Sequence, residues 1–348
     1  MKRLFKLVAT SLGVLLVALV AAGVLLLLVG NYRTERRHSV LVQLLAKKVA
    51  PISAKTDVLW DTDLRPFGFP EDNFDTPYLS WSAPSTVAVS DSLAAVTFRK
   101  SRYESQQLVQ DGYLITLSLA TGSVATTTHW PAEWQRKKAL APFYQRLIGV
   151  GPYVYCCNKQ GYFYGYSDDY LLIKDGRVIA REGDSPGGLA SVKPNYVPGT
   201  NGRPTIVEIS QPDGSKTSLD TRCRGVAHDS SVSNGVGVVT TDCGTLFVIG
   251  ADGHVLFSDE YQNAEIQFGG ASRNGKRFVL AVAVWHPGDP SYMTDEWLVV
   301  YDIETRAPVF AWKSAPLPYL QSQTALSADG TRLLIGSGGH LKLTRLPN

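Results

Sequence analysis

Past residue 85 the chain alternates short apolar runs with turn formers, and an Asp-Gly or Asn-Gly pair stands in front of many of the runs. Ser233-Asn234-Gly235 leads into Val236–Val239, Ser272-Arg273-Asn274-Gly275 into Phe278–Val282, and Ser327-Ala328-Asp329-Gly330 into Leu333–Ile335. Such pairs supply the positive φ angles that tight hairpins demand, so each predicts a strand–turn–strand unit. The predicted strands run from Thr86–Val89 and Leu93–Phe98 through Tyr113–Leu119 and Ser123–His129. Tyr153–Asn158, Tyr162–Tyr166, Tyr170–Lys174, Arg177–Arg181, Thr205–Ser210 and Lys216–Asp220 follow. Gly237–Thr241, Thr245–Ile249 and His254–Asp259 form one meander, and Lys276–Val284, Glu296–Ile303 and Pro308–Lys313 another. No amphipathic helix interrupts the series.

The turns before the inner strand pairs fall near Asp91, Gly151, Lys193, Asn234, Asn274 and Asp329. From Gly151 to Asn274 the spacing is about 40 residues, the length of one four-stranded propeller blade, and the longer first and last steps contain the Trp130–Phe143 excursion and the Trp285–Thr294 insertion. The predicted fold is therefore all-β: a β-propeller of six, or seven, four-stranded blades, the seventh having room only in Asp184–Gly202. The last unit, Thr324–Leu346, holds three strands before the sequence stops. A ring cannot close on three strands without exposing an edge. Lys55–Leu64, centred on Asp57-Val58-Leu59-Trp60, is the expected fourth strand.

A different pattern occupies the N-terminus. From Leu7 to Gly30 there is no charged residue. At about 1.5 Å per residue this run can cross a hydrocarbon core of about 30 Å. It outlasts the apolar core of a secretory signal peptide and resumes after Val20-Ala21-Ala22, the one plausible cleavage site. The expected organisation is a tail over residues 1–6, a membrane anchor over 7–30, a helical stalk over 31–54 and the propeller over 55–348. In the stalk, Leu41, Leu44, Leu45 and Val49 fall at helical spacing, Lys47 and Lys48 lie off that face, and Pro51 ends it. Positive charges flank the anchor on both sides, so charge leaves orientation open. The length of the C-terminal domain and its four cysteines favour a single-pass protein of the inner membrane with the propeller outside the cytoplasm, periplasmic or at the cell surface.

Ser327–Ile335 followed by His340–Arg345, and Asn274–Leu280 followed by Leu298-Val299-Val300-Tyr301-Asp302, resemble repeats of the bacterial WD40-like and YVTN-type propellers. The likeness runs from about Ser230 to the end, and the Gly-His and Trp-Asp pairs of standard WD40 repeats are missing. It implies a scaffold on which the first turn joins the two inner strands and the Tyr-Asp strand ends with its Asp facing the next turn. Such a scaffold hosts many unrelated functions.

Charge narrows the partners. The chain of 348 residues carries a formal net charge of +3, and residues 1–37 alone carry +5, leaving about −2 beyond them. A near-neutral folded domain has no polyanion-binding footprint, so nucleic acid is not an expected partner. The six histidines show no ligand spacing, and no metal, cofactor or catalytic residue is expected. His228-Asp229-Ser230 and Asp168-Asp169 read as polar turns, because adjacency is neither triad geometry nor a calcium loop. Cys156-Cys157 resembles the vicinal disulfide of quinone-cofactor alcohol dehydrogenases, but their repeated Trp-docking motifs are absent. Cys223 and Cys243 stand on successive units and can either form a disulfide or remain two buried thiols.

The insertion Trp285-His286-Pro287-Gly288-Asp289-Pro290-Ser291-Tyr292 interrupts a blade with aromatic residues held by turn formers. Long loops on rigid scaffolds often carry recognition, which makes Trp285, His286, Asp289 and Tyr292 the candidate partner-binding residues. The expected function is a membrane-anchored scaffold that binds or assembles a protein partner. The alternative is a propeller enzyme, a hydrolase, lyase or quinone-type oxidoreductase, acting on a sugar or small metabolite in the central channel.

Overall fold

A computed structural model describes residues 2–52, 57–69, 86–89, 92–104, 107–130, 145–150, 153–158, 169–174, 177–182, 191–195, 206–210, 214–222, 227–233, 236–241, 244–250, 252–261, 264–272, 274–285, 293–314, 323–337 and 339–347. Side chains within 2–19, 97–112, 128–195 and 227–233 lie, with few exceptions, outside that description. One helix, α1, spans Lys2–Val49, and a single 3-10 turn, Ala50–Ile52, follows where Pro51 removes a backbone donor. From Val20 to Val29 the apolar side chains of α1 stand exposed, Leu26 at 73 %. Among the described residues no helix is long and apolar enough to cross a membrane. The side chains of residues 7–19 lie outside the description, and the part from Val20 onward is too short alone.

Apart from a second 3-10 turn at Arg65–Phe67, the remaining elements among the described residues are strands. β1 is Asp57–Asp63. β2–β5 (Thr86–Val89, Leu93–Glu104, Gln107–Ser118, Val124–Trp130) form one antiparallel sheet in chain order. So do β6–β9 (Gln145–Val150, Tyr153–Asn158, Asp169–Lys174, Arg177–Glu182). β10–β12 (Ser191–Asn195, Ile206–Ser210, Lys216–Asp220) make a three-stranded sheet. β13–β16 (Ala227–Ser233, Val236–Thr241, Thr245–Ile249, Val255–Glu260) and β17–β20 (Glu265–Ala271, Arg277–Trp285, Met293–Asp302, Ala307–Lys313) restore four. β21–β23 (Gln323–Leu326, Arg332–Ser337, His340–Arg345) end the chain. The first strand of each sheet lies against its counterparts next door: β2 touches β6 and β21, and β17 touches β13 and β21, while β10 touches β13. Consecutive antiparallel sheets meeting at their first strands define an all-β propeller.

Both faces of a blade are covered by its neighbours, which explains why these strands read as unbroken apolar runs. Along β18, Phe278, Leu280, Val282 and Val284 face the β13–β16 sheet, while Val279 and Ala281 face the last sheet with Leu333 and Ile335. β14 divides in the same way, Val236 and Val238 to one side and Val239 to the other with Val207 and Ile209. Strand period two thus sends alternate residues into separate cores, and each core lies at a seam.

The turn cadence has a physical basis. Ser272 Oγ donates to Asn274 Oδ1 (2.7 Å) and accepts from Arg277 N–H (3.0 Å), and Gly275 takes φ +67°. Ser327, Asp329, Gly330 and Arg332 repeat the pattern at 2.6 and 2.9 Å with φ +72°. Neighbouring turns are bonded to each other. Asn274 Nδ2 donates to the Asp329 carbonyl (3.0 Å) and Arg277 donates to the Gly330 carbonyl (3.1 Å). Asp302 at the end of β19 accepts from Arg277 Nε (3.4 Å) and from Thr305 N–H (3.0 Å). Partial burial opposes ionisation of Asp302, yet these hydrogen bonds hold its carboxyl below the usual carboxylate range.

β1 pairs with β23 and completes the last sheet in the order β1-β23-β22-β21, as the three-stranded last unit requires. Trp60 is the bolt. Its ring lies on Gly122, where a Cβ would meet Trp60 at 2.6 Å, and its Nε1 donates to the Leu119 carbonyl (2.9 Å). Thr62 Oγ1 donates to the Gly122 carbonyl (2.8 Å), so β1 holds the last sheet and the first one together. At the rim, Asp61 receives Lys342 Nζ and His340 Nδ1, each at 2.9 Å.

Two parts of the sequence reading change. The β3–β4 hairpin continues past Phe98, pairing 99–104 with 107–112. Gln145–Val150, Ser191–Asn195, Ala227–Ser233 and Glu265–Ala271, none assigned as strands from the sequence, are the first strands of the second to fifth sheets. Tyr162–Tyr166 lies outside the described residues, as do Cys223 and Cys243, while Cys156 and Cys157 are described in backbone alone.

Truncating Trp60→Ala should lower the free energy of unfolding by about 3 kcal/mol, the usual cost of removing a buried aromatic ring; a denaturation midpoint equal to wild type would show that closure does not depend on it. Asp61 titrates under opposing influences: partial burial raises its pKa, but hydrogen bonds and charge from Lys342 and His340 leave it lowered from 3.8. Its stabilising contribution is complete above the unfolded value and disappears as pH falls through the folded one. Urea unfolding across an acid series should show wild type exceeding Asp61→Asn at neutral pH, with the gap closing below pH 3.8.

Candidate functional site

The most fully built polar site among the described residues is where α1 meets the propeller. Leu45 and Val49 are buried in the seam between the β13–β16 and β17–β20 sheets, with Leu41, Val42, Ala46 and Ile52 packed against it. His38, one turn earlier, is also buried. These residues fall at three- and four-residue steps and so share one helix face. Sequence reasoning placed Leu44 on that face and Lys48 off it; Leu44 is 42 % exposed and Lys48 lies in the contact. The stalk is therefore a docked element. The buried stripe is Leu41, Leu45 and Val49 with Val42 and Ala46 beside it, displaced from the one that spacing alone defines.

Lys48 anchors the contact. Its Nζ donates to Asp259 Oδ1 (2.5 Å) and to the Glu260 carbonyl, and stands 4.0 Å from the centre of the Tyr261 ring. Asp259 Oδ2 accepts from Tyr301 Oη (2.5 Å), and Tyr301 Oη lies 2.5 Å from Tyr261 Oη. A phenol has one proton, and that of Tyr301 goes to the carboxylate, so Tyr261 donates to Tyr301. Burial pushes both phenols well above the ordinary tyrosine value, and the neighbouring carboxylate adds to the shift. Both remain neutral donors throughout the physiological range. Beneath them Tyr301 stacks on Phe278 with ring centres 5.1 Å apart and on Phe257 at 6.0 Å. A cation at the C-terminal turn of a helix also complements the helix dipole. The arrangement is an electrostatic clamp that fixes the helix to two blades; it holds no group poised for bond-breaking chemistry.

The predicted recognition loop is a different region. Trp285 ends β18 and only its backbone is described, while His286, Asp289 and Tyr292 lie outside the described residues. The loop leaves the sheet end at which Glu265 pairs with Ala283 and at which Glu296 and Trp297 begin the apolar part of β19. Glu265, Glu296 and Trp297 are all buried there, with Lys313 Nζ 5.9 Å from the Trp297 ring. No group of three metal-ligating side chains occurs among the described residues. The clamp itself went unnoticed in the sequence. Its signal was the Lys47-Lys48-Val49 end of an apolar helical stripe facing Asp259-Glu260-Tyr261, a basic and an acidic segment more than two hundred residues apart.

No family model and no curated protein sequence matches the chain. Solved structures do. The C-terminal WD40 domain of Sif2 matches with a TM-score of 0.36 at 11 % identity, over 85 % of this chain and 99 % of that one. Raptor from Chaetomium thermophilum matches at 0.33 and 10 % identity, over 76 % of this chain and 28 % of its own. A chain of the mitotic checkpoint complex matches at 0.31 and 12 % identity, over 85 % and 96 %. The class defined by strand order and seams is an all-β propeller with a helix clamped to two of its sheets.

Removing the clamp's charge with Lys48→Met should cost about 2 kcal/mol, the worth of hydrogen bonds to a charged group. Limited trypsin digestion of the full chain should then cut at Lys47 and within 33–37 faster than in wild type. Equal cleavage rates and an unchanged melting point would show that the helix is not held through Lys48.

Proposed function

We propose that the chain is a membrane-anchored, extracytoplasmic β-propeller of six blades that serves as a protein-binding or assembly scaffold. The observation that carries this reading is the continuity of α1. One uninterrupted helix bears the uncharged run Leu7–Gly30 at one end and the clamp residues Leu45, Lys48 and Val49 at the other. A propeller held this way presents a fixed surface to a partner, because no flexible linker separates ring from anchor. The exposure of Val20–Val29 supports the reading, since a row of exposed leucines on a helix calls for apolar cover. The insertion Trp285–Tyr292, with His286 and Asp289, is the proposed contact for the partner.

Two measurements test the reading. Alkaline carbonate washing of membranes from cells expressing the full chain should leave the protein in the pellet, and its release into the supernatant would remove the anchor from the account. Cross-linking in intact cells followed by affinity purification should recover a stoichiometric protein partner that a Trp285→Ala/Tyr292→Ala variant retains poorly. Recovery of no partner from either form would exclude the scaffold role. Protease treatment of intact and opened cells reports the side on which the propeller lies; digestion in intact or outer-membrane-permeabilised cells is the expected result.

A further inference from the structure

Between the apolar run and the clamp, α1 carries Arg33, Arg36 and Arg37 with Tyr32, all exposed. The first docked residue is His38, buried immediately after them. A helix turns about 100° per residue, so the three arginines at i, i+3 and i+4 share a side. That side lies away from the stripe of His38, Leu41, Leu45 and Val49 that the propeller covers. None of the three arginines has an ion-pair partner among the described residues, and Glu35 is the only carboxylate within the segment. They therefore form a cationic patch that the protein's own fold leaves facing solvent.

Resting on the anchor reading above, we infer that Arg33, Arg36 and Arg37 form a collar that binds the phosphate groups of anionic lipids in the leaflet nearest the propeller. Distance supports this. Arg33 stands three residues past Gly30 and Arg37 seven, about 5 and 10 Å along a helix. The headgroup layer beside a hydrocarbon core of about 30 Å is about 5–7 Å deep, so Arg33 lies within it and Arg36 and Arg37 lie a few ångströms past it, within reach of a long guanidinium side chain. Guanidinium groups suit phosphate through paired N–H donors, and the exposed Tyr32 ring suits the same interfacial layer. Because the same helix docks from His38 onward and is clamped at Lys48 about three turns later, lipid bound by the collar also fixes the height of the ring above the bilayer. The occupant is an anionic lipid headgroup; soluble phosphate lacks the acyl chains that hold it at this depth.

Full-length protein in nanodiscs of phosphatidylcholine mixed with phosphatidylglycerol provides the test. Native mass spectrometry of the protein ejected with its retained lipid should show phosphatidylglycerol enriched several-fold over its bulk fraction in wild type. Enrichment should disappear in R33Q/R36Q/R37Q, whose melting point should match wild type because all three positions are exposed. Raising salt should weaken the enrichment, and inorganic phosphate at equal ionic strength should have no additional effect. Equal retention of both lipids by wild type, or enrichment that survives in the variant, overturns the collar. Failure of wild type to enter nanodiscs overturns the collar together with the anchor, which separates that outcome from loss of lipid preference alone.

Discussion

A propeller is a ring of sheets, and a ring fails at the point where the chain's two ends must meet. In this protein the point is the pairing of β1 with β23, and the remaining architecture depends on it. Without β1 the last sheet would present the unpaired backbone of β23, and the seam against the first sheet would lose Trp60 from its core. Closure is non-local by necessity, since Asp57 and Arg345 occupy opposite ends of the fold in sequence. Loop-closure entropy makes such a contact late and cooperative, so it gains stability only when the intervening sheets are already stacked.

The same pairing explains the placement of the helix. β1 begins a few residues after the 3-10 turn at Ala50–Ile52, so closing the ring also brings the end of α1 to the rim. There Lys48 finds Asp259, and Leu45 and Val49 fill the seam. Burial of two aliphatic side chains provides the nonspecific part of the attachment, at about 1.5–3 kcal/mol for each fully buried residue. The lysine, the carboxylate and the two phenols provide its direction. A clamp made only of leucines could slide along the seam; one that must satisfy a half-buried carboxylate and a buried tyrosine pair cannot.

Much of this was legible because a few local rules act strongly here. Ser-x-Asn-Gly and Ser-x-Asp-Gly specify a hairpin through side-chain bonds made within the turn, and the three-stranded end of the chain demanded a partner that Asp57–Trp60 supplies. Other features depended on distant residues and were not legible. The long β3–β4 hairpin is polar beyond Phe98, so apolar patterning ended where pairing did not. Gln145–Val150 follows an irregular stretch and resembles its tail. Lys48 looked like a solvated charge because its partners, Asp259, Glu260 and Tyr261, lie more than two hundred residues away in sequence. The face of a helix buried against a curved surface depends on the approach angle, which helical spacing does not contain.

Hydrogen–deuterium exchange of the full chain tests the central claim, that β1 and the end of α1 are integral parts of the ring. The account predicts that amides of Asp57–Asp63 exchange on the same slow timescale as those of β22 and β23, with Leu45–Val49 close behind. Rapid exchange of β1 while β22 remains protected would contradict it, and would mean that the ring closes without its N-terminal strand.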